Sequence, residues 1–176
     1  YPDTELPYDF IPSGIQMDED KRSGNADQVK RALELSANMN KGSIIIGLFD
    51  NDREGNQQFK GVNREVFEEY DIEKNVRKHL EKEIYALLLP CPVKREIFVS
   101  ASSMQQRYFV IEHYFDDEIL SANNLKGESI LGTEVFEIKG SSKKKFSKEV
   151  VPSLSSDKFV EFILLFEKLN ELIRNS

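Results

Sequence analysis

The feature that most constrains the fold is a short apolar run that ends at an acidic turn. Residues 44–49 read IIIGLF, and DNDREG follows directly at residues 50–55. A run this short, β-branched at its start and without polar alternation, predicts a strand buried on both faces. In open α/β sheets, ligands and catalytic groups collect just beyond the carboxyl ends of strands. Asp50 and Asp52, one residue apart at that position, are suited to present carboxylate oxygens to Mg²⁺.

The length and charge of the chain limit the protein classes that fit it. Its 176 residues suit one domain, or one domain with an appendage. A net charge of −7 argues against a general nucleic-acid coating protein, which would carry a basic surface. The charge leaves room for an enzyme that holds phosphates through a metal and a local basic patch. No P-loop pattern occurs, so the segment is not expected to hydrolyse ATP by that mechanism.

The cysteine count and the lack of long apolar runs indicate the cellular compartment that suits the protein. Cys91 is the single cysteine, which excludes an internal disulfide and favours a reducing, cytoplasmic setting. No apolar run approaches the roughly eighteen residues of a membrane span, so no membrane partner is expected. The start, YPDTELPYDF, has no secretory signal pattern and no initiator Met. We therefore expect a segment of a longer protein.

The segments before the acidic turn predict a βαβ unit. Residues 8–11 form a short apolar run between prolines, which predicts a strand, and residues 13–25 have the composition of a loop. Residues 26–39 predict a helix, capped by Asn25, with a buried stripe of Val29, Leu33 and Ala37. With the strand at residues 44–49, this order predicts two parallel strands joined by a crossover helix.

Beyond the acidic turn, charged and apolar stretches follow one another. The spacing of apolar residues over 64–82 predicts one or two amphipathic helices. The later predictions are a strand at 84–89, a strand at 108–114, a short helix from Asp116, a hairpin or edge strand at 130–138, a basic stretch at 141–148 and an apolar helix at 159–173.

The pattern Asp50-x-Asp52-x-x-Gly55 has two interpretations. In the functional one, the sheet fixes Asp50, the turn carries Asp52, and Gly55 allows a close backbone approach that a larger residue would block. In the other, these residues form an ordinary turn held by side-chain to backbone hydrogen bonds. The position directly after a buried strand favours the metal site.

Other side chains are weaker candidates for chemistry. Glu112 is either a further metal ligand or base, or a surface carboxylate. His113 beside it would point to the opposite face of a strand, and His79 is expected to be solvated. Cys91 is expected to be a small buried apolar residue. The basic run of Lys139, Lys143, Lys144, Lys145 and Lys148 either contacts a nucleic-acid backbone or is a solvated face.

The segment SIIIGLFDNDREG resembles the Toprim motif, in which an apolar strand is followed by DxD and then glycine. Three later segments are similar to the nuclease branch attached to ABC-type ATPases, the OLD (overcoming lysogenization defect) family: YALLLPCP, FVIEHYFDDEIL and FSKEVVPSLSSDKFVEFILLFEKL. Toprim domains also carry an upstream glutamate in a V-E-G-like strand end. Glu5, in TELPYD, does not match that pattern.

The resemblance implies a fold and an activity. The fold is an α/β, Toprim-like three-layer domain with a mostly parallel central sheet over residues 1–138. A basic segment and helical appendage follow at residues 139–176. Asp50, Asp52 and Glu112 would bind Mg²⁺ or Mn²⁺ and act in metal-dependent DNA hydrolysis. Lys143, Lys144 and Lys145 would contact the DNA.

The resemblance also implies partners. They are DNA and an ATPase domain on the same polypeptide, as in anti-phage defence, and a homo-oligomer is left open. The alternatives are another Toprim activity, such as strand rejoining or primer synthesis, and a catalytically degenerate Toprim module used for assembly or nucleic-acid binding.

Overall fold

A strand and the helix that follows it position the acidic turn. The computed structural model describes residues 9–11, 26–39, 42–72, 74–100 and 106–176. The helices are α1 (Ala26–Met39), α2 (Arg53–Gly61), α3 (Asp117–Ala122), α4 (Gly140–Lys145) and α5 (Phe162–Arg174). The strands are β1 (Ile45–Phe49), β2 (Asn51–Asp52), β3 (Phe67–Glu69), β4 (Val76–His79), β5 (Ile84–Leu88), β6 (Tyr108–Phe109), β7 (Lys126–Ser129) and β8 (Phe136–Ile138).

The main sheet is mixed rather than mostly parallel. Within the described residues it has four strands in the order β1-β5-β4-β3. Strand β1 is parallel to β5, with Ile45 opposite Ile84 and Phe49 opposite Leu88. Strands β4 and β3 extend the sheet in antiparallel fashion. The prediction of a mostly parallel sheet is therefore wrong, because a hairpin rather than helical crossovers extends the sheet beyond β5.

Strand β5 is the centre of the core and is buried on both faces. Ile84, Ala86 and Leu88 belong to one apolar cluster, which α1 and α2 cover. Tyr85 and Leu87 belong to a second cluster on the other face, which includes residues of α5. This alternation follows from the two-residue period of a strand. The mixed α/β class with a C-terminal helix is confirmed.

Strand β1 is only partly buried, which differs from the expectation of a strand covered on both faces. Gly47 and Phe49 are buried, whereas Ile45, Ile46 and Leu48 are half-buried. The reason is position, since β1 lies at one end of the sheet order. Helix α1 packs closely here, because a Cβ at Gly47 would lie 2.6 Å from a Leu33 methyl carbon.

The stretch at 64–82 is a β-hairpin, so the prediction of amphipathic helices is wrong. The Asp71 carboxylate accepts hydrogen bonds from the Asn75 and Val76 N–H groups at 2.8 and 2.9 Å and closes the turn. Lys74 adopts φ 58°, a left-handed conformation that is incompatible with a continuing helix. Arg77 is buried and donates to the Val62 and Phe67 carbonyl oxygens.

Other predicted elements are confirmed in whole or in part. Helix α1 has the predicted bounds, and Leu33 and Ala37 are buried. The prediction at 84–89 matches β5, and the short helix from Asp116 matches α3. The prediction at 130–138 is met in part by the pair β7–β8. The apolar C-terminal helix begins at Phe162, three residues later than expected.

Other predictions fail or lie outside the described residues. Asp9, Phe10 and Ile11 form no strand, Tyr8 is outside the described residues, and so is the 13–25 loop. The parallel neighbour of β1 is β5, so the predicted βαβ unit is absent from the part of the chain described. The prediction at 108–114 gives only the two-residue β6, followed by a 3₁₀ turn at Ile111–Tyr114.

The C-terminal segment packs into the main core. Phe146, Leu165, Leu169 and Leu172 share one apolar cluster with Tyr85 of β5. The division at residue 138 stays a prediction. Across the described ranges, every helix is too short or too polar to cross a bilayer.

Candidate metal centre

The acidic turn joins the end of β1 to the start of α2. Asp50 follows Phe49 directly, and Asp52 is the N-cap residue of α2. The Asp52 Oδ1 atom accepts a hydrogen bond from the Gly55 N–H at 2.8 Å. Such a cap satisfies one of the unpaired N–H groups at a helix start. The turn interpretation is therefore met for Asp52.

Gly55 makes the close approach that the sequence predicted. A Cβ built on Gly55 would lie only 1.9 Å from the Asp50 carbonyl oxygen. No side chain fits at that distance, so glycine is required by the packing of α2 against the end of β1 rather than by an unusual φ angle. The glycine therefore determines how closely the helix start and the Asp50 backbone lie together.

Asp50 is a half-buried carboxyl group in an acidic environment. Burial, together with the negative charges of Asp52 and Glu112, raises its pKa from 3.8 to about 7. Lys143 and the Ile111 N–H act in the opposite direction. The Ile111 N–H donates to Asp50 Oδ1 at 3.2 Å. Such a perturbed carboxyl group is typical of functional sites.

Glu112 approaches the acidic turn from another segment. It lies in the 3₁₀ turn Ile111–Tyr114 rather than near a strand end, which corrects the predicted location. Its side chain is 15% exposed, and its Oε2 atom forms an ion pair with Lys143 Nζ at 3.1 Å. Lys143 comes from α4, in the predicted basic run. The structure thus brings the three predicted carboxylates and one predicted lysine into one neighbourhood.

A buried amide network supports the turn, and the sequence analysis did not identify it. Asn56 is fully buried, and its Nδ2 group donates to Asn51 Oδ1 at 2.9 Å and to the Asp52 carbonyl oxygen at 2.8 Å. Asn51 in turn donates to the Leu89 carbonyl oxygen at 3.3 Å. Arg107 donates to the side-chain oxygens of both asparagines at 3.4 and 3.3 Å. The sequence signal that could have indicated this network is Asn56, a polar residue directly after Gly55.

A cleft of about 310 Å³ opens beside the turn. Its lining combines basic, acidic and aromatic side chains from four parts of the chain. The lining residues are Asp52, Arg53, Arg107, Tyr108, Val110, Glu137, Ile138 and Lys143. Asp52 and Lys143 therefore belong both to the acidic site and to the cleft.

The two histidines considered as bases are both buried in the core. His113 is fully buried; its Nδ1 accepts from the Val110 N–H at 3.0 Å and its Nε2 lies 3.2 Å from the Phe136 carbonyl oxygen. Burial, with the nearby Arg95 charge, lowers its pKa to about 3, so the ring is neutral. His79 is buried against the Phe67 ring rather than solvated, which corrects the prediction.

The remaining basic run and the cysteine add little chemistry to the site. Lys144 and Lys145 are exposed on α4 outside the cleft lining. Lys139 donates to Asn124 Oδ1 at 3.1 Å. Cys91 packs against the core, and burial raises the pKa of its thiol to about 12. A thiol of that kind is a poor nucleophile.

The carboxylates of Asp50, Asp52 and Glu112 are of the chemical type that binds a hard divalent cation. Their side chains do not surround a common point. Carboxylate oxygens are the preferred ligands of Mg²⁺, and a cation would relieve the repulsion that raises the pKa of Asp50. Within the ranges described, no three His, Cys, Asp or Glu side chains are drawn together as a metal-binding group. The Lys143 ammonium group supplies positive charge to Glu112 instead.

The predicted kinship with Toprim domains rests on the acidic turn and on the quoted segments. The structure supplies an aspartate at a strand end, a second one residue later, and a glycine in close contact with the first. Compared with models of protein families, with curated proteins and with solved structures, the chain has no match.

Proposed function

We propose that this chain is the Toprim-like part of a metal-dependent DNA endonuclease that works with an ATPase domain in anti-phage defence. The supporting observation is the environment of Asp50. This carboxyl group has a pKa of about 7 because it is buried and because Asp52 and Glu112 are close. Two like charges beside a buried acid destabilise the fold, and a bound cation would reverse that effect.

The roles of the residues follow from their positions. Asp50, fixed by the end of β1, and Asp52, fixed by the start of α2, would hold Mg²⁺ or Mn²⁺, and Glu112 would complete the site. The metal would stabilise charge on the scissile phosphodiester and activate water. Asn51, Asn56 and Arg107 act as positioning residues that hold the turn.

Lys143 balances the negative charge of Glu112. Its ammonium group pairs with Glu112 at 3.1 Å and lowers the pKa of Asp50. A cation that binds to Glu112 would have to replace this ion pair. Glu112 would then exchange an ammonium partner for a divalent one, while Asp50 keeps the hydrogen bond from the Ile111 N–H.

A second candidate is a degenerate module that binds partners or nucleic acid without catalysis. The observation that favours it is that two of the three carboxylates already have partners. Asp52 caps α2, and Glu112 pairs with Lys143. An acidic site satisfied in this way can be a stable structural feature.

Nicking of supercoiled plasmid separates the two candidates. The proposed function predicts nicking in Mg²⁺ or Mn²⁺, none in EDTA, and loss of nicking in Asp50→Asn. Asp9→Asn, at an exposed position outside the turn, is the matched control and should stay active. Nicking that survives Asp50→Asn would contradict the catalytic assignment. Absence of nicking in every divalent metal, with Mn²⁺ binding also absent by calorimetry, would favour the degenerate module.

A further inference from the structure

The cleft beside the acidic turn has the features of a polynucleotide subsite. We propose that it binds one nucleotide of a single-stranded nucleic acid, with Arg53, Arg107 and Lys143 on the phosphates and Tyr108 on the base. This inference deepens the proposed function and rests on it, because it names the substrate class of the same site.

The size of the cleft limits what can occupy it. Its volume of about 310 Å³ is large enough for one nucleotide-sized group. It lies at the lower end of the roughly 300–1,000 Å³ range of small-ligand sites. A duplex has its bases paired and stacked inside, so an unpaired strand can place a base in such a cleft without the cost of breaking a pair and its stacking.

The cationic side chains come from three separate elements that meet at the cleft. Arg53 begins α2, Arg107 precedes β6, and Lys143 lies on α4. Guanidinium groups match the geometry of phosphate oxygens and can bind them with two parallel hydrogen bonds. Arg107 is held in place by the Asn51 and Asn56 oxygens. These three cations outnumber the two carboxylates of the lining, on a chain with net charge −7.

Tyr108 supplies an aromatic surface within the same lining. Tyr108 packs partly against the apolar cluster that contains its fully buried neighbour Phe109. Tyr108 is half-buried, which fixes its ring while it lines the cleft. Aromatic side chains beside basic residues are the usual means by which proteins bind single strands without sequence preference.

A strand bound in the cleft would lie next to the acidic site. Asp52 and Lys143 line the cleft and also belong to the acidic site, so a strand bound here would have a phosphate beside Asp52. Arg53 is one residue beyond Asp52 at the start of α2, where the helix dipole also favours a phosphate.

Fluorescence anisotropy with a labelled oligothymidine of about 12 nucleotides tests the subsite. The measurement is made in EDTA, so no metal-dependent cleavage interferes. The wild-type protein should bind the single strand more tightly than a blunt duplex of the same length. Tyr108→Leu should weaken binding about fivefold or more, the effect expected for one lost base–aromatic stack. Arg53→Gln should weaken binding and reduce the salt slope by about 0.7.

Arg64→Gln is the matched control for Arg53→Gln. Arg64 is exposed just beyond the opposite end of α2 and does not line the cleft, so its loss removes the same charge elsewhere. Equal losses in Arg53→Gln and Arg64→Gln, equal affinity for duplex and single strand, or no binding at all would each overturn the subsite.

The plasmid assay distinguishes failure of the single-strand subsite from failure of the proposed endonuclease function. Single-strand binding with no nicking would contradict hydrolysis but support the subsite. Nicking without Tyr108- and Arg53-dependent binding would overturn the subsite and leave hydrolysis supported.

Discussion

Replacement of Asp50 by asparagine should stabilise the folded chain and remove its response to divalent metals. Asparagine has nearly the shape of the protonated acid, and its Oδ1 can still accept the hydrogen bond from the Ile111 N–H. What changes is the charge, because the pKa of Asp50 is raised to about 7 by burial, with additions from Asp52 and Glu112. The ionised form of Asp50 is therefore the destabilising one.

The size of the effect follows from proton linkage. Between pH 3.8 and about 7 the folded chain retains a proton that the unfolded chain releases, so the free energy of unfolding falls as pH rises through this window. Each pKa unit corresponds to about 1.4 kcal/mol. The raised pKa of Asp50 then lowers the free energy of unfolding by about 4 kcal/mol at about pH 8 and by less than about 2 kcal/mol at about pH 5.

Urea unfolding followed by circular dichroism measures this difference in EDTA. Asp50→Asn should raise the free energy of unfolding at both pH values, with a gain about 2–3 kcal/mol larger at the higher pH. Asp9→Asn, at an exposed position, should leave the value nearly unchanged. Added Mn²⁺ should stabilise the wild type by mass action and leave Asp50→Asn unaffected.

Two results would refute this reasoning. If Asp50→Asn were no more stable than the wild type at the higher pH, the buried charge would not carry the energy assigned to it. If Mn²⁺ stabilised both proteins equally, the cation would bind elsewhere, and the carboxyl group at the end of β1 would be only a structural acid.

Two further substitutions test the packing of the turn and its ion pair. Gly55→Ala should lower the free energy of unfolding by about 2 kcal/mol or more, because its Cβ would lie 1.9 Å from the Asp50 carbonyl oxygen. Gly61→Ala, in the same helix, meets only the end of a flexible side chain and should be neutral or stabilising in the same denaturation assay. Lys143→Met should tighten Mn²⁺ binding several-fold in calorimetry, because Glu112 loses its competing partner. Unchanged affinity would show that this lysine does not compete with the cation.

The sequence was most informative where local chemistry and tertiary structure agree. The helix at Ala26–Met39 has a single apolar stripe and a polar remainder, and its bounds were predicted to the residue. The strand β1 and the acidic turn were also located correctly. The close approach at Gly55 was predicted from residue type and position. In each case neighbouring residues carried the signal.

The hairpin β3–β4 was missed because its charged residues are buried. Arg77 and His79 are each 7% exposed, although His79 was expected to be solvated in a charged helical segment. Arg77 is accommodated by backbone carbonyl oxygens of residues 15 and 10 positions away in the chain, Val62 and Phe67. A partner set of that kind exists only after folding, so no local pattern predicts it. The turn signal was local, however, in Asp71.

The carboxylates of the candidate site were identified from the sequence, but the residues that contact them were not. Asp50 and Asp52 came from one motif, and Glu112 was named for its place in a predicted strand that proved to be a 3₁₀ turn. Its pairing with Lys143 joins residues 31 positions apart in sequence. Asn56 and Arg107 were not identified, because their role depends on contacts across the fold.

The double burial of β5 has a consequence for motion at the site. A strand bonded on both sides and covered on both faces exchanges its amide protons only when the whole chain unfolds. The acidic turn is attached to the residue after that strand, because the Leu89 N–H donates to the Phe49 carbonyl oxygen and Asn51 donates to the Leu89 carbonyl oxygen. Slow hydrogen exchange should therefore extend from β5 into the turn. We expect any opening that admits a cation or a strand to involve the other segments of the site, the 3₁₀ turn that carries Glu112 and the helix α4 that carries Lys143.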